Sequence, residues 1–526
     1  MPDDLSQALL DRPTAQPAPE TSEPAPGMRT PGSRLRDRGR LSGLAGWLLV
    51  AIASLGMFVS TSPMGGPDEP QQNVTAWYVS GHGLRPGSIE WFSVPASFTT
   101  DHPCFAGKPD VSASCMPSRV TGEAMESTSW VLPYAPPYYL VVGVGQRLAA
   151  SLVGAGYADI GGRLASFILN LGALLLLSLY MRRRHPRWGN LLLLVSTPMS
   201  VFMGVVVNPS GWEITCGIVM AAVLSEAVWG RQSLESDSWP RGTTLILVVA
   251  SAALCLTRPL GLVWASGLTL SAVALVPSID RRLLLRVSCA VAPGIALGIL
   301  WALISPSSLP VIPGASISNP SAALYAIWFV GSLLLFPLQL QQMYGILGWL
   351  DTPAPLLLVA AYIVAWGALL IQLAPIRRAA AMCGVFGIVI LPSLIETIGW
   401  ASDPFGWYGR YTLPFALGFG LLLLLRSGQL IPRTISFVSG ISLLSLGLMV
   451  LVNAVRYDFG LNAFDLPASL GQQGISPIRL LLSLLIGVTL VIASGYLLVQ
   501  AWRMERDTRP RLGSETPLAP APISTL

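Results

Sequence analysis

Two adjacent acids, Asp68 and Glu69, are the side chains of this sequence best suited to acid–base chemistry. They lie within the segment GGPDEPQQN, residues 65–73, whose glycines and prolines favour a turn. A carboxylate held at such a turn can take the proton of an attacking hydroxyl group. The pair is therefore predicted to be catalytic, and a plain solvated turn is the alternative.

Two arginines, Arg258 and Arg410, stand where an anion could be bound. Arg258 lies in a short Thr-Arg-Pro sequence between two apolar runs, and Arg410 begins another apolar run. A guanidinium group donates forked hydrogen bonds that match the oxygens of a phosphate. Both arginines are predicted to bind a phosphate. The alternative is that each long side chain reaches out of an apolar layer to lipid headgroups.

Six further polar side chains near the ends of apolar runs complete the candidate site. They are Tyr138, Tyr139, Asn208, Glu213, Asp351 and Tyr411. Glu213 lies a few residues inside an apolar run, which is costly for an acid unless that run lines a polar cavity. For the paired tyrosines, simple anchoring in a headgroup layer is the alternative to ligand contact.

The sequence contains none of the common patterns of metal and nucleotide sites. His82, His102 and Cys104 stand at no recognised metal-ligand spacing, and GxxxxGK[ST], GxSxG, CxxC and HExxH do not occur. No metal ligand is therefore predicted, and the sequence names no cofactor. ATP-driven transport by this chain alone is not expected.

Composition places the chain in the membrane. Of its 526 residues 52% are hydrophobic and 11% are charged, and the mean hydropathy is +0.60. Soluble proteins carry about 25% charged residues, and a run of about 20 apolar residues can cross a bilayer. An all-α polytopic membrane protein is predicted, with the lipid bilayer as a partner. The net charge of +5 is spread among loops, so nucleic acid is not an expected partner.

The chain divides into a membrane domain and two polar tails. Residues 1–41 are rich in proline and are predicted to be a disordered cytoplasmic tail. Residues 42–502 form the membrane domain, and within it residues 61–136 form a long polar loop on the outer side. Residues 503–526 form a second cytoplasmic tail.

Fourteen apolar runs occur, and the positions of the arginines decide how many of them cross. Short inner loops are enriched in arginine, so the cluster Arg182, Arg183, Arg184 and Arg187 is expected inside. That requires the run 137–156 to lie at the outer interface or to re-enter. By the same argument the run 321–340 does not cross the membrane. Twelve spans are therefore predicted, with both ends in the cytoplasm. Fourteen true spans are the alternative.

Cys104 and Cys115 are the only two of the six cysteines outside apolar runs. Both fall in the polar loop predicted on the outer side, where the compartment permits oxidation. A disulfide between them is therefore predicted, and two unpaired thiols are the alternative.

Several motifs in one order resemble a known family. They are P-D-E-P at 67–70, Y-A-P-P-Y-Y at 134–139, T-P…N-P-S-G-W-E at 197–213, G-W-L-D at 348–351 and G-R-Y-T-L-P at 409–414. Together they resemble a family of bacterial polytopic membrane proteins long filed as a domain of unknown function, over roughly residues 42–500. That family often has a histidine where this chain has Gln72, so any help from that histidine is absent or replaced here.

The family is similar in layout to the GT-C glycosyltransferases. That resemblance implies transfer of a sugar from a polyprenyl-phosphate carrier to a cell-envelope glycan or lipid acceptor, with inversion at the anomeric carbon. It implies a multi-pass protein of the bacterial cytoplasmic membrane with its active site on the outer face. Asp68 or Glu69 would then be the base, and Arg258 and Arg410 would hold the donor phosphate.

Two other functions stay open. A transporter or flippase of lipid-linked saccharide would be expected to have charged residues deep within spans and internal repeats. An assembly subunit that kept the fold and lost activity is the other, and Gln72 is the feature that favours it. The sequence does not identify the sugar, the acceptor or the carrier.

Overall fold

We describe the protein from a computed structural model. The described residues are 41–83, 91–98, 102–116, 124–230, 239, 242–276, 280–305, 321–372, 377–399, 407–427, 431–461 and 477–508. The predicted N-terminal tail, apart from its last residue, and the predicted C-terminal tail beyond residue 508 lie outside them. So do parts of the predicted outer loop.

The described chain is about 78% helical, which confirms the predicted all-α class. The helices are α1 (Gly43–Ser60), α2 (Glu69–His82), α3 (Pro136–Leu152), α4 (Ala158–Met181), α5 (Trp188–Val195), α6 (Pro198–Val205), α7 (Pro209–Trp229), α8 (Thr243–Cys255), α9 (Leu260–Ala274), α10 (Arg281–Ile304), α11 (Ala322–Leu334), α12 (Phe336–Gly345), α13 (Leu356–Ile371), α14 (Arg377–Val385), α15 (Leu391–Gly399), α16 (Leu413–Ser427), α17 (Pro432–Asp458) and α18 (Pro477–Thr508). A π-helical turn, Phe386–Ile390, joins α14 to α15.

Two small antiparallel strand pairs lie outside the helices of the described chain. Strand β1 (Phe92–Pro95) pairs with β2 (Ala124–Ser127), with Phe92 opposite Ser127. Strand β3 (Ile346–Leu347) pairs with β4 (Thr352–Pro353). Both strand pairs belong to polar connections, and the second places Asp351 in its turn.

Seven of the described helical segments are long and apolar enough to cross a membrane, which confirms a multi-pass membrane protein. They are α1, α4 with the turn before it, α7, α10, the α14–α15 segment, α17 and α18. Helices α8, α9, α13 and α16 are apolar but shorter. Helix α3, in the run predicted not to cross, has 17 residues and is not among the seven.

Two apolar runs are bent in the middle. The apolar run 189–207 is one of the twelve predicted spans, and within it α5 and α6 meet at 83°. Pro198 cannot continue a helix from the preceding residues, and Thr197 caps α6 by accepting a hydrogen bond from the Ser200 amide. Helices α11 and α12 meet at 47° within the other run predicted not to cross, and Pro337 lies just after this bend.

Helix α7 lies at the centre of the bundle. Nearly nine-tenths of the residues in its most apolar stretch are buried, and the helix packs against α16, α8, α9 and α4. At Gly217 the backbone of α16 comes so close that an added Cβ would lie 2.5 Å from the Pro414 carbonyl oxygen. A larger residue at this position would push the two helices apart.

The two ends of α7 lie in different surroundings. At its C-terminal end Glu226 contacts His185 at 2.6 Å and Arg184 at 3.3 Å, so the arginine-rich connection after α4 lies there. At its N-terminal end Asn208 caps the helix. A helix of 21 residues is about 31 Å long, close to the thickness of a hydrocarbon core. The two ends are therefore about one membrane thickness apart.

Candidate functional site

Asp68 sits at the start of α2 in an unusual backbone conformation. Its φ of 57° and ψ of 12° are left-handed, a conformation that aspartate adopts more readily than most residues other than glycine. Its side chain makes no capping hydrogen bond to the helix and is 27% exposed. The turn therefore directs this carboxylate away from its own helix.

Arg410 faces Asp68. The Arg410 Nη2 atom lies 3.4 Å from Oδ2 of Asp68 and 3.3 Å from the hydroxyl of Tyr411. The guanidinium is buried beside the rings of Tyr408 and Tyr411, at 4.6 and 4.9 Å from their centroids. Its Nε and Nη1 atoms make no hydrogen bond within the described chain. These N–H groups are available to an anion.

Arg258 also lies near the ring of Tyr411. Its guanidinium is 5.1 Å from the centroid of the Tyr411 ring and 5.4 Å from that of Tyr134. Nη1 donates to the hydroxyl of Ser210 at 2.8 Å, while Nε makes no hydrogen bond to any described residue. Two buried guanidinium groups thus contact one tyrosine ring. Each has at least one unused donor.

The beginning of α7 supplies the next part of the cluster. Asn208 donates to the Pro67 carbonyl oxygen at 2.8 Å, which ties the helix to the residue before Asp68. Glu213 is fully buried, and neither of its carboxylate oxygens bonds to the described part of the chain. Spacing of three residues puts Glu213 on the same face of α7 as Ser210, which bonds Arg258.

Tyr134 is surrounded by these groups. Burial raises the pKa of its phenol, and the charge of Arg258 offsets part of that rise. Tyr411, Asp68 and Glu213 raise this pKa further, which reflects their position around the same ring. The phenol is therefore protonated at neutral pH and can donate a hydrogen bond. Its motif was recognised in the sequence, but this ring was not among the predicted site residues.

Glu69, the second predicted catalytic acid, is held in a different set of contacts. Arg163 donates to Oε1 at 2.6 Å and to Oε2 at 2.5 Å, and the backbone amides of Gly66 and Val207 donate at 2.8 and 3.0 Å. Four donors use all the acceptor positions that a carboxylate offers. Glu69 therefore joins the turn to α4.

Asp351 also lies in a separate ion pair. Arg456 Nη2 is 2.8 Å from its Oδ2 atom and also donates to the Phe105 carbonyl oxygen, while Nη1 donates to that of Val111. Cys104 and Cys115 are joined by a disulfide whose Cα atoms are 6.2 Å apart. This small loop is thereby fastened to the end of α17.

The Asp351 region contacts the Asp68 turn through two side chains. Tyr457 donates to the Gly65 carbonyl oxygen at 2.8 Å, and the Trp349 indole donates to that of Met64 at 3.0 Å. Met64, like Asp68, has a positive φ. Asp351 and the disulfide loop thus belong to a region that contacts the turn and supports it.

The predicted tyrosine pair is buried. Tyr139 donates to Gln72 at 2.6 Å, and the Tyr138 hydroxyl lies 3.1 Å from that of Ser166. Both rings are at most 2% exposed, so they lie inside the protein rather than at a lipid-facing surface. Gln72 is a buried partner of α3.

Sequence reasoning missed the residues that hold the Arg410 turn. Glu396 of α15 accepts hydrogen bonds from the Trp407 amide at 2.8 Å, from the Gln339 side chain at 3.3 Å and from the Ser332 hydroxyl. Gln342 of α12 accepts one from the Gly409 amide at 2.7 Å. An acid inside an apolar run was the signal that could have identified Glu396, since it singled out Glu213.

No group of three or more potential metal ligands occurs among the residues that the structure describes. The cluster is instead built from two carboxylates, two guanidinium groups and several phenols. That donor set suits an anionic ligand that also carries hydroxyl groups.

The fold and this cluster define a polytopic helical membrane protein with a polar, arginine-containing site at one end of its central helix. The chain belongs to the family described as predicted membrane protein (DUF2142), which matches residues 51–419. The match includes Asp68, Arg258 and Arg410, while α17 and α18 follow it. Searches of curated proteins and of solved structures found no match.

Proposed function

We propose that this protein is a membrane glycosyltransferase of the GT-C type. It moves a sugar from a polyprenyl-phosphate carrier to a hydroxyl group of a cell-envelope glycan or lipid. The observation that carries the proposal is the 3.4 Å contact between Asp68 and Arg410, next to guanidinium N–H groups without partners. This contact places a proton acceptor, the Asp68 carboxylate, next to an anion site, the Arg410 guanidinium.

In this reaction Asp68 takes the proton of the acceptor hydroxyl. The acceptor oxygen forms a bond to the anomeric carbon, and the bond from that carbon to the phosphate oxygen breaks. The electron pair of the broken bond goes to the phosphate, whose charge Arg258 and Arg410 stabilise. Attack opposite the leaving group inverts the anomeric centre. Tyr134 and Tyr411 provide phenol donors beside the same phosphate.

Glu69 serves this site as a positioning group rather than as the base. Its bonds to Arg163 and to the Gly66 amide hold the turn that aims Asp68. Asp351 and the disulfide loop support the same turn from behind, through Tyr457 and Trp349. In this proposal Asp68 alone accepts the proton.

We further propose that the site lies on the outer face of the bacterial cytoplasmic membrane. Support comes from α7, which separates the cluster from the arginine-rich connection at its other end, because such connections stay in the cytoplasm. Twelve spans follow if the seven long segments, the four shorter apolar helices and the α5–α6 pair all cross. Both tails are then cytoplasmic. Helix α3, with Leu148 and Leu152 exposed, lies along the outer interface.

The bend between α5 and α6 favours a second candidate, a transporter of lipid-linked saccharide. Interrupted helices often surround the substrate in transporters. Beside this bend lies a cavity of about 30 Å³, lined by Ser54, Asn170, Ser196 and Thr215 among others. Against this candidate, the proposed phosphate-binding pair Arg258 and Arg410 lies near the start of α7 and does not line the cavity beside the bend.

One experiment separates the two candidates. The purified protein in lipid nanodiscs is given short-chain polyprenyl-phosphate glucose, mannose, galactose or arabinose, together with a cell-envelope extract as acceptor. A glycosyltransferase releases polyprenyl phosphate only when protein and acceptor are both present. Asp110→Asn, a change of an exposed acid in the disulfide loop, is the matched control for Asp68→Asn. Movement of the intact carrier across vesicles without release would favour the transporter.

A further inference from the structure

We infer that Glu396 is a positioning residue that holds Arg410 in its phosphate-binding place, with Gln342 as its helper. The inference rests on the proposed function, because it names the groups that organise the same anion site. Glu396 lies on α15, and Arg410 lies in the short helical turn Gly409–Tyr411 that follows it in the chain.

The first support is the way the Arg410 turn is anchored. Its backbone amides at Trp407 and Gly409 donate to Glu396 and to Gln342, at 2.8 and 2.7 Å. The Trp407 indole also donates to the hydroxyl of Thr412 at 2.9 Å, which closes the turn on itself. Two side chains from neighbouring helices thus fix the backbone on the N-terminal side of Arg410.

The second support is how tightly the turn fits. A Cβ atom added to Gly409 would lie 2.1 Å from the carbonyl oxygen of Gln339, closer than real contacts allow. The turn can occupy this place only because position 409 has no side chain. A shift of α12 or α15 would therefore move the Arg410 backbone directly.

The third support is the arrangement of the bent α11–α12 pair. The one buried residue of α11 is Ser332, which donates to Glu396, and the other residues of this helix are exposed or half-buried. Two buried glutamines of α12, Gln339 and Gln342, face the same turn. Helix α12 also buries Met343 and Tyr344 in the apolar core, so the pair is held by apolar packing as well. Its buried serine and its two buried glutamines, however, all bond either to the Arg410 turn or to Glu396.

Glu396 accepts three hydrogen bonds from neutral donors, so its role is to position rather than to react. It makes no contact with Asp68, Arg258 or Arg410 among the hydrogen bonds and ion pairs of the described residues. Glutamine at this position keeps one oxygen that accepts from the Trp407 amide. Its amide NH₂ group can then donate to Gln339 and Ser332, which become acceptors. Methionine keeps the length of the side chain and removes every acceptor oxygen.

The test is a double-mutant cycle with short-chain polyprenyl phosphate, without a sugar, as the probe. Binding is measured by titration of the purified full-length protein in nanodiscs, per folded molecule. We expect Glu396→Met to weaken binding about tenfold and Glu396→Gln to weaken it less than threefold. In an Arg410→Ala background, Glu396→Met should add nothing, since the group it positions is already gone.

Two controls keep the outcome decisive. Glu226→Gln changes another buried acid, at the other end of α7, and should leave probe binding unchanged even if it lowers thermal stability. If Glu396→Met does not fold, Gln342→Met removes the second anchor and should weaken probe binding severalfold. Additive effects of Glu396→Met and Arg410→Ala, or unchanged binding in both anchor variants, would overturn the inference. A wild-type protein that binds no polyprenyl phosphate would instead overturn the proposed function.

Discussion

Asp68 and Arg410 are 342 residues apart in the chain, and their side chains lie 3.4 Å apart in the folded protein. Both are placed by short turns rather than by long helices. The Asp68 turn has a left-handed residue, and the Arg410 turn is pinned by two neighbouring helices. Such placement allows small shifts of either turn to alter the distance between an acid and an anion site.

The first prediction concerns the base. Asp68→Asn keeps the shape of the side chain and removes its basicity, so sugar transfer should fall by about 10²–10⁴-fold. Binding of polyprenyl phosphate should survive, because the two arginines remain. Release of polyprenyl phosphate measures the first effect, and titration measures the second. Full transfer by this variant would move the base to another acid, with Glu213 next in line, because the ion pair with Arg456 occupies Asp351.

The second prediction concerns the phosphate. Arg410→Ala or Arg258→Ala should weaken binding of short-chain polyprenyl phosphate about 10–100-fold, because a charge-assisted hydrogen bond is worth about 1.5–3 kcal/mol. Lysine at either position should restore only part of the lost affinity, since a point charge does not reproduce a forked contact. Titration in nanodiscs checks both. Unchanged affinity in Arg410→Ala would show that this buried arginine pairs with Asp68 and does not bind the phosphate.

The third prediction separates Glu69 from Asp68. Arg163→Ala removes the ion-pair partner of Glu69 and leaves that buried carboxylate unpaired, which typically costs about 3–5 kcal/mol of stability. The melting temperature in nanodiscs should therefore fall much further for this variant than for Asp68→Asn. A melting temperature equal to that of the wild type would show that the Glu69–Arg163 pair does not hold the turn.

The fourth prediction concerns the disulfide loop. Mass spectrometry of the non-reduced protein should find Cys104 and Cys115 linked. Closing so short a loop should contribute about 2–3 kcal/mol. Replacing both cysteines by serine should therefore lower thermal stability. Recovery of both residues as free thiols from oxidising conditions would refute the link.

The fifth prediction concerns topology. Reporter fusions after residues 188, 240, 284, 378 and 430 should all report the cytoplasm. Helix α3 is then interfacial, and the α5–α6 pair crosses once despite its bend. A signal from the outer side at residue 188 would show that the run 137–156 crosses.

Much of the architecture was predictable from local properties of the sequence. The class of membrane protein follows from composition, and the helical character follows from the apolar runs. Even the break in the run 189–207 had a local cause in Thr197 and Pro198. It was missed because average hydropathy over a run does not register a single proline.

The candidate site was predictable as a set of residues but not as a set of partners. Asp68, Arg258, Arg410, Tyr411 and Glu213 are gathered around Tyr134 and the start of α7. Tyr134 itself, and the anchors Glu396 and Gln342, escaped notice. Glu396 and Gln342 act through hydrogen bonds to the backbone of another segment, and Tyr134 acts through the charged groups around its ring, so their partners could not be read from the chain.

The sequence by itself determined that charged side chains interrupt apolar runs, and that such side chains need partners, because a charge is costly to bury in an apolar layer. Only the tertiary structure decided which partner each one has. Glu69 meets Arg163, Asp351 meets Arg456, and Asp68 meets Arg410. Adjacent carboxylates look alike in a sequence, but the donors that fold around each one make the first a candidate base and the second part of the framework.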